Sequence, residues 1–469
     1  MRRVVVVGGG ISGLAAAWDL TGGAPGPNTD TPEVIVLESS DRLGGPLHSV
    51  TFGHQVIDVG PDGFLGRRPE ALDLCRELGL TDQLVPIAGR GASVWARGRL
   101  RPLPDGLALG IPTRFWPAAR SGILGTKGSL ALARDVLLPK PDVRGPIHDR
   151  SVGPLVTRKL GHRVVDRLVD PLIGGIHAGS VDDMSTAATY PPLLAAAQRR
   201  GSLMRALRAE TPAPDPDAPP LFWALLGGMT TLIDALRLAL ESRGVDIRTN
   251  TTAKRLDRRD GGWTIATESG QIDTDAVILA VPAPVASALL RTHDDEASGL
   301  LAAVDYASVT LVTFRVPIAA VPKPLYGTGF LVPRRSIRPG TKDGWIVTAG
   351  TFLSQKWDNL QEDGQLLLRA SLGRYGDQRS EDWDDAAVVE RVWDELGQLM
   401  GLEGAPEASL VTRWPSAFPQ YRVHHLLRTS GVESGVARLG GVAVAGATYR
   451  GVGIPACIAS GRAAALAIQ

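Results

Sequence analysis

The chain opens on an apolar run without polar alternation, Val4-Val5-Val6-Val7, the pattern of a strand buried on both faces of a parallel sheet. It passes directly into Gly8-Gly9-Gly10-Ile11-Ser12-Gly13 and then into Leu14-Ala15-Ala16-Ala17-Trp18, which predicts a helix. A second run, Val34-Ile35-Val36-Leu37, ends in Glu38, and a third, over residues 275–282, ends in a proline stop. Between the first helix and the second run, residues 21–31 are rich in Gly, Pro, Asn and Thr and read as a loop. Residues 69–78 have helical spacing with proline at the start. Shorter strand patterns fall near Ile247 and around Trp263-Thr264-Ile265. From 304 to 372 the period becomes two, as in Val309-Thr310-Leu311-Val312-Thr313-Phe314, which predicts a second, largely antiparallel sheet. Residues 151–179 look helical and break at Gly174-Gly175-Ile176-His177-Ala178-Gly179. Residues 227–236 open another helix with Thr at its cap. Apolar and glycine-rich character returns at Val442-Ala443-Val444-Ala445-Gly446 and Gly451-Val452-Gly453-Ile454.

The order strand, Gly8-x-Gly10-x-x-Gly13 turn, helix builds a pyrophosphate cradle. Gly8 permits the tight turn, Gly10 lets the backbone approach the diphosphate, and Gly13 lets helix and strand pack closely. Free N–H groups and the positive dipole end of the helix then face the anion. Glu38, ending the second strand, is placed to accept hydrogen bonds from ribose hydroxyls and argues against a 2′-phosphate. After it, Asp41-Arg42-Leu43-Gly44-Gly45 sets a second glycine pair beside a cation. A nicotinamide dehydrogenase has no need of that pair, whereas an enzyme that wraps an extended FAD does.

At 469 residues the chain should form two or three units with their own cores. Hydrophobic content of 44% with 21% charged residues excludes wholesale disorder. Fifty Lys+Arg against 49 Asp+Glu give no broad electrostatic case for nucleic acid. Cys75 and Cys457 form neither metal nor redox spacing, and the first apolar run is too short for a signal segment, so a cytoplasmic protein is expected. Residues 211–220 are a Pro/Ala/Asp linker, and 86–146 mix Arg, Pro and Gly with Trp95, Phe115 and Trp116. That stretch reads as a surface helical hairpin or as a membrane- or partner-facing surface spanning Trp95 to Trp116. The resulting fold class is α/β: a split Rossmann-like FAD-binding domain (1–80, 211–290, 426–469), a helical inserted region (81–210) and an inserted mixed α+β substrate-binding domain (291–425).

Four blocks are more specific: Gly60-Pro61-Asp62-Gly63-Phe64-Leu65, Asp170-Pro171-Leu172-Ile173-Gly174-Gly175-Ile176-His177-Ala178-Gly179, Trp414-Pro415-Ser416-Ala417-Phe418-Pro419-Gln420-Tyr421, and Gly446-Ala447-Thr448-Tyr449-Arg450-Gly451-Val452-Gly453-Ile454-Pro455-Ala456-Cys457. Over nearly its whole length the chain resembles flavin amine-oxidase-like proteins and, within them, bacterial protoporphyrinogen/coproporphyrinogen oxidases. Gly63, His177, Phe418 and Arg450 depart from what relatives often carry at those positions. The resemblance implies noncovalent FAD. Gly8, Gly9, Gly10, Ile11, Ser12 and Gly13 would hold the diphosphate, Glu38 and Ser39 the adenosine ribose, and Arg42 the adjoining loop. Pro46, Gly60, Pro61, Asp62 and Gly63 would lie near the ribityl and flavin, Ala253 at the adenine through its backbone, Trp414 near the isoalloxazine, and Val452, Gly453 and Ile454 at the ribityl and pyrimidine end.

The implied reaction removes six electrons from a porphyrinogen, with oxygen reduced to hydrogen peroxide, in haem biosynthesis. Coproporphyrinogen III is the expected substrate; protoporphyrinogen IX and another amine-oxidase-like activity remain the alternatives. His177, in a glycine-flanked break, is the candidate catalytic residue, against the reading of a structural histidine, and no metal site is expected. Arg67, Arg68 and Arg450 are candidates for the substrate carboxylates. A ferrochelatase of the pathway and a peripheral membrane surface are the candidate partners.

Overall fold

The opening apolar run becomes the centre of a five-stranded sheet in the computed structural model, which describes residues 2–23, 31–138, 149–199, 201–210 and 219–469. Strand Arg3–Val7 lies between Glu33–Leu37 and Ala276–Leu279, with Asp246–Arg248 and Val442–Val444 at the edges, and every pairing is parallel. Val4, Val5 and Val6 are fully buried, so both faces of this strand must be apolar, as its sequence is.

The chain divides into two compact units. The first comprises Met1–Pro86, Pro219–Asp305 and Leu426–Gln469 and contains this sheet. Helices Ile11–Leu20 and Ile454–Ala467 pack backbone to backbone: a Cβ on Gly461 would sit 2.1 Å from the Ser12 carbonyl oxygen. Helix Pro69–Glu77 forms where proline and spacing predict it, and the meander Arg255–Arg259, Gly262–Thr267, Gly270–Thr274 stands beside the main sheet in sequence. The helix expected after Gly228 runs Thr230–Ser242, but no threonine side chain caps it. Its free amides are taken from a distance: Met229 N–H donates to Asp58 Oδ1 at 2.8 Å and Thr230 N–H to Ser49 Oγ at 3.0 Å, both from the hairpin Ser49–Phe52/Gln55–Asp58.

The second unit comprises Ile87–Ala218 and Tyr306–His425. Its seven-stranded sheet runs in the order Ala408–Pro419, Tyr306–Pro317, Gln365–Leu372, Val347–Phe352, Gly329–Leu331, Ser93–Ala96, Arg99–Pro102. The pairings are antiparallel except for Gly329–Leu331 with Ser93–Ala96, which is parallel. The region expected to be helical from 81 to 210 therefore contributes two strands to the same sheet as residues 306–419. Trp95, expected on an exposed surface, is 6% exposed and meets Trp345 edge to face at 5.3 Å, because its strand turns that side chain into the sheet's core. Trp116 does reach solvent.

Residues 151–177 are nearly continuous helix: Val152–Leu160, His162–Val164, the wide π-helical stretch Val165–Gly174, and Gly175–His177. Pro171 inside the π-helix has no N–H to donate, which suits a segment whose hydrogen bonds are already widened. The expected glycine break at Gly174 is a continuation; the path ends at Ala178, which is left-handed with φ +47°. The linker and loop expectations at 211–218 and 24–30, and part of the inserted stretch at 139–148, lie outside the described residues. Among the described residues no helix is long and apolar enough to cross a membrane.

Candidate functional site

In the first unit the glycine turn has the form its spacing demands. Gly8 has φ +108°, and a Cβ there would lie 2.4 Å from the Ala280 carbonyl oxygen; one on Gly13 would lie 1.9 Å from the Gly8 carbonyl oxygen. Gly10 is different. No atom lies within 4 Å of where its Cβ would be, so its missing side chain leaves open surface at the start of helix Ile11–Leu20. That helix has no side-chain cap and no acid in its first turn, and its leading amides and dipole end stay available to an anion.

A second loop lies against the first. Gly44 N–H donates to the Gly9 carbonyl at 2.9 Å, Leu43 packs on Gly9, and the Cβ position of Gly45 is 3.9 Å from Gly10 Cα. Glu38 bridges this turn to the adjoining chain: its Oε2 accepts from Gly9 N–H at 2.8 Å, and its Oε1 accepts from Ser40 N–H and Ser40 Oγ, both at 2.8 Å. Ser39 is exposed beside it and Arg42 half-buried, with Nη1 donating to the Leu43 carbonyl at 3.4 Å. The segment before Ala253 is tied to the same place, since Asn250 N–H donates to the Ser40 carbonyl and Thr251 N–H to the Glu38 carbonyl, each at 2.8 Å. Asn250 and Ser40 were not among the expected site residues; the left-handed φ of +50° at Asn250 is the local signal that marks this turn.

The C-terminal glycine block supplies another open helix start. Gly453 precedes helix Ile454–Ala467, again with no side-chain cap and no first-turn acid. The Cys457 thiol, inside its first turn, is pushed up to about 11, first by burial and against a hydrogen bond with Ser12, so the first turns of the two uncapped helices touch. It lies 3.9 Å from the Gly451 and Val452 carbonyl oxygens. Pro46 and Pro61 are exposed, Asp62 and Gly63 half-buried and Gly60 buried, all within this unit.

The three candidate arginines differ. Arg450 makes a bidentate pair with Glu433, from Nε to Oε1 at 2.8 Å and from Nη2 to Oε2, so its charge is answered locally. Arg68 donates to Glu70 Oε1 at 2.7 Å, yet its Nη1 lies 4.0 Å from the Cβ position of Gly451, against the C-terminal block. Arg67 is exposed beside it.

His177 and Trp414 belong to the second unit. Trp414 is half-buried on strand Ala408–Pro419, opposite Val309. The His177 backbone is clamped: Gln420 Nε2 donates to its carbonyl at 3.0 Å, and Tyr375 N–H donates to the Ala178 carbonyl at 2.7 Å. Its ring lies 5.9 Å from Tyr421, which stacks on His425 at 3.9 Å. His177 Nδ1 is buried without a hydrogen-bond partner. Burial, and then the charge of His425, lower the imidazole to about 4, so it is neutral at pH 7. Gln420 and Tyr375 were not foreseen as a clamp, because neither sits near His177 in sequence.

Comparison with known proteins gives a consistent picture. The family model for flavin containing amine oxidoreductases matches residues 11–469. Coproporphyrinogen III oxidase of Bacillus subtilis is 32% identical over 470 residues, covering 99% of this chain and 97% of its own. The enzyme of that name from Propionibacterium freudenreichii is 34% identical over 497 residues, covering 98% and 89%. A crystal structure from Exiguobacterium, of a protein provisionally named a protoporphyrinogen oxidase, superposes with a TM-score of 0.87 at 31% identity, covering 100% of this chain and 98% of that one.

Proposed function

The chain belongs to the flavin containing amine oxidoreductase family, as a flavin-dependent porphyrinogen oxidase of haem synthesis, and from that premise we propose that its own substrate is coproporphyrinogen III. The observation that carries the choice is the name shared by relatives 32% and 34% identical over almost the full chain.

The cofactor is FAD, and the first unit fits it on its own geometry. The empty Cβ position at Gly10, the facing Gly45 and the uncapped helix start suit a diphosphate, while Glu38, held by Gly9 and Ser40, presents a fixed acceptor to the ribose. Ala253 would meet the adenine, and Val452, Gly453 and Ile454 the other end, where the second uncapped helix offers its dipole to negative charge. When bound, FAD accepts electrons from the substrate two at a time. Removing six electrons and six protons from the macrocycle reduces three dioxygen molecules to three of hydrogen peroxide, which balances the reaction.

Pyrrole nitrogens release protons as the macrocycle is oxidised. His177, neutral and with an unpartnered Nδ1, is suited to accept a hydrogen bond from such an N–H, and its clamped backbone keeps the ring in place. Arg67 and Arg68 are the cations assigned to propionates. The product passes to a ferrochelatase of the pathway, and a peripheral membrane contact would use the second unit.

The test is steady-state turnover of coproporphyrinogen III and protoporphyrinogen IX side by side, with peroxide measured. A higher kcat/KM for coproporphyrinogen III is expected. Preference for protoporphyrinogen IX would overturn the substrate assignment.

A further inference from the structure

His177 stands on a short loop, 174–181, that is held at both ends and in the middle. At its base Gly179 N–H donates to the Gly174 carbonyl at 2.9 Å. Val181 N–H donates to Asp170 Oδ1 at 3.4 Å, and the Val181 carbonyl accepts from Gly153 N–H at 2.7 Å. Asp170 also lies against the start of the loop, since a Cβ on Gly174 would be 3.1 Å from its Oδ1. In the middle, Gln420 and Tyr375 hold the His177 and Ala178 carbonyls. Ala178 keeps its left-handed backbone there, a conformation that a residue with a Cβ holds only when its surroundings impose it.

Two buried, opposite charges act on this loop. Asp170 belongs to the π-helical stretch Val165–Gly174, and Arg374 immediately precedes Tyr375; each is 8% exposed. Gly373, with φ +86°, makes the turn that carries Arg374 off strand Gln365–Leu372, and a Cβ on it would lie 2.4 Å from the Ser308 carbonyl oxygen. Arg374 Nη2 donates to the Val332 carbonyl at 2.6 Å, and its Nε is buried without a hydrogen-bond partner. Burial pushes the Asp170 carboxyl up and the Arg374 guanidinium down, and in each case the other residue is the leading charge that opposes the shift. A buried charge deprived of its counter-charge is strongly unfavourable, so each residue confines the other. The residue beside Gly174 and the residue beside Tyr375 therefore hold one loop from two elements.

We propose that Asp170 and Arg374 are positioning residues for the reaction: their buried charges fix the loop so that His177 Nδ1 keeps one place, and neither side chain touches the substrate. The inference rests on His177 as the acceptor for a pyrrole N–H. Small displacements of a group that orients the reacting atoms slow the chemistry more than they weaken binding, so the loss belongs in kcat. Arg335 supplies the contrast. It pairs with Asp166 of the π-helical stretch at 2.7 Å and with Asp182, just past the loop, at 2.8 Å. It ties the same two segments, but its side chain is 61% exposed, where such pairs contribute little.

The test compares the FAD-loaded full chain with D170N/R374M, which removes both charges together and keeps an acceptor for Val181, and with R335A. D170N/R374M should keep its flavin and thermal midpoint, while kcat for coproporphyrinogen III falls about tenfold and KM stays within about twofold. R335A should match the unmodified protein, and R374K, which keeps the charge, should retain most of the rate. On an H177A background the same double change should cost nothing further, as expected of residues that act through the imidazole. Histidine ring resonances follow the position of His177 without turnover. The ring titrates at about 4 in the unmodified protein and should move toward 6.5 in D170N/R374M; with both charges gone together, that shift reports exposure. If the double variant loses its flavin, R374M replaces it, because burial then leaves Asp170 protonated. An unchanged His177 titration, or an equal loss of kcat on the H177A background, would overturn the proposal. Full turnover by H177A would remove the role of His177 alone, and the ring titration would then decide whether Asp170 and Arg374 position it.

Discussion

Arg450 gives both edges of its guanidinium to Glu433, although it sits in the middle of the C-terminal glycine-rich block. The pair holds Arg450 above its usual range through that hydrogen bond, and it is at the surface, where such pairs contribute roughly 0–1 kcal/mol. Arg450→Ala should therefore leave KM for coproporphyrinogen III within about twofold. Arg68→Ala, which removes a cation beside Gly451, should raise it about tenfold. Steady-state kinetics on the two variants decide; a larger KM effect at Arg450 would mean that Glu433 releases it to the substrate.

Gly10 and Gly13 separate binding from folding. Gly10→Val projects into open space, so the protein should fold and yet lose its yellow colour, with FAD affinity reduced about a hundredfold. Gly13→Ala would drive a methyl into the Gly8 carbonyl and should destabilise the fold itself by about 3 kcal/mol. Absorbance after gel filtration, with unfolding curves of both variants, checks the pair; full flavin occupancy in Gly10→Val would contradict the diphosphate assignment.

Glu38→Ala removes the acceptor of the Gly9 amide along with that of Ser40. The turn should lose about 1–2 kcal/mol, and FAD affinity should drop by at least about tenfold. Glu38→Gln keeps one carbonyl acceptor and should fall between. Flavin titration of the apoprotein measures both, and unchanged affinity in Glu38→Ala would remove the ribose role.

His177 should make the protein acid-sensitive. Its folded value of about 4 is below the ordinary 6.5, so the unfolded chain takes up a proton there first as pH falls. Stability from this group is intact above 6.5, declines between 6.5 and about 4, and at pH 5 is lower by about 2 kcal/mol. His177→Asn should lose less stability than the unmodified protein between pH 7.5 and pH 5 in denaturant unfolding. Parallel losses would show that the imidazole stays accessible to protons.

What could be read in advance was local in sequence. Val4 to Val7, the glycine turn and Glu38 lie on consecutive elements, and their pattern carries both the fold and its ligand chemistry. The caps on helix Thr230–Ser242 come from Ser49 and Asp58, far away along the chain, and no helix-start pattern encodes them. Trp95 reads as a surface aromatic because arginines surround it in sequence, but the hairpin turn carries Arg97 into solvent, and Arg99, adjacent to the Leu100 that pairs with Trp95, is exposed while Trp95 enters the core. The clamp on His177 and the pairing of Arg450 depend on tertiary neighbours, which spacing does not reveal.

Strand Val442–Val444 pairs in parallel with Ala276–Leu279, which pairs with Arg3–Val7, and helix Ile454–Ala467 seats Gly461 on Ser12. During synthesis the first strand and its glycine turn leave the ribosome long before the segments that complete their sheet. Contacts this distant in sequence form late and slowly. Cofactor capture would then be one of the last events in maturation, and a ribosome stalled before residue 442 would hold a dinucleotide cradle lacking the strand and helix that close it.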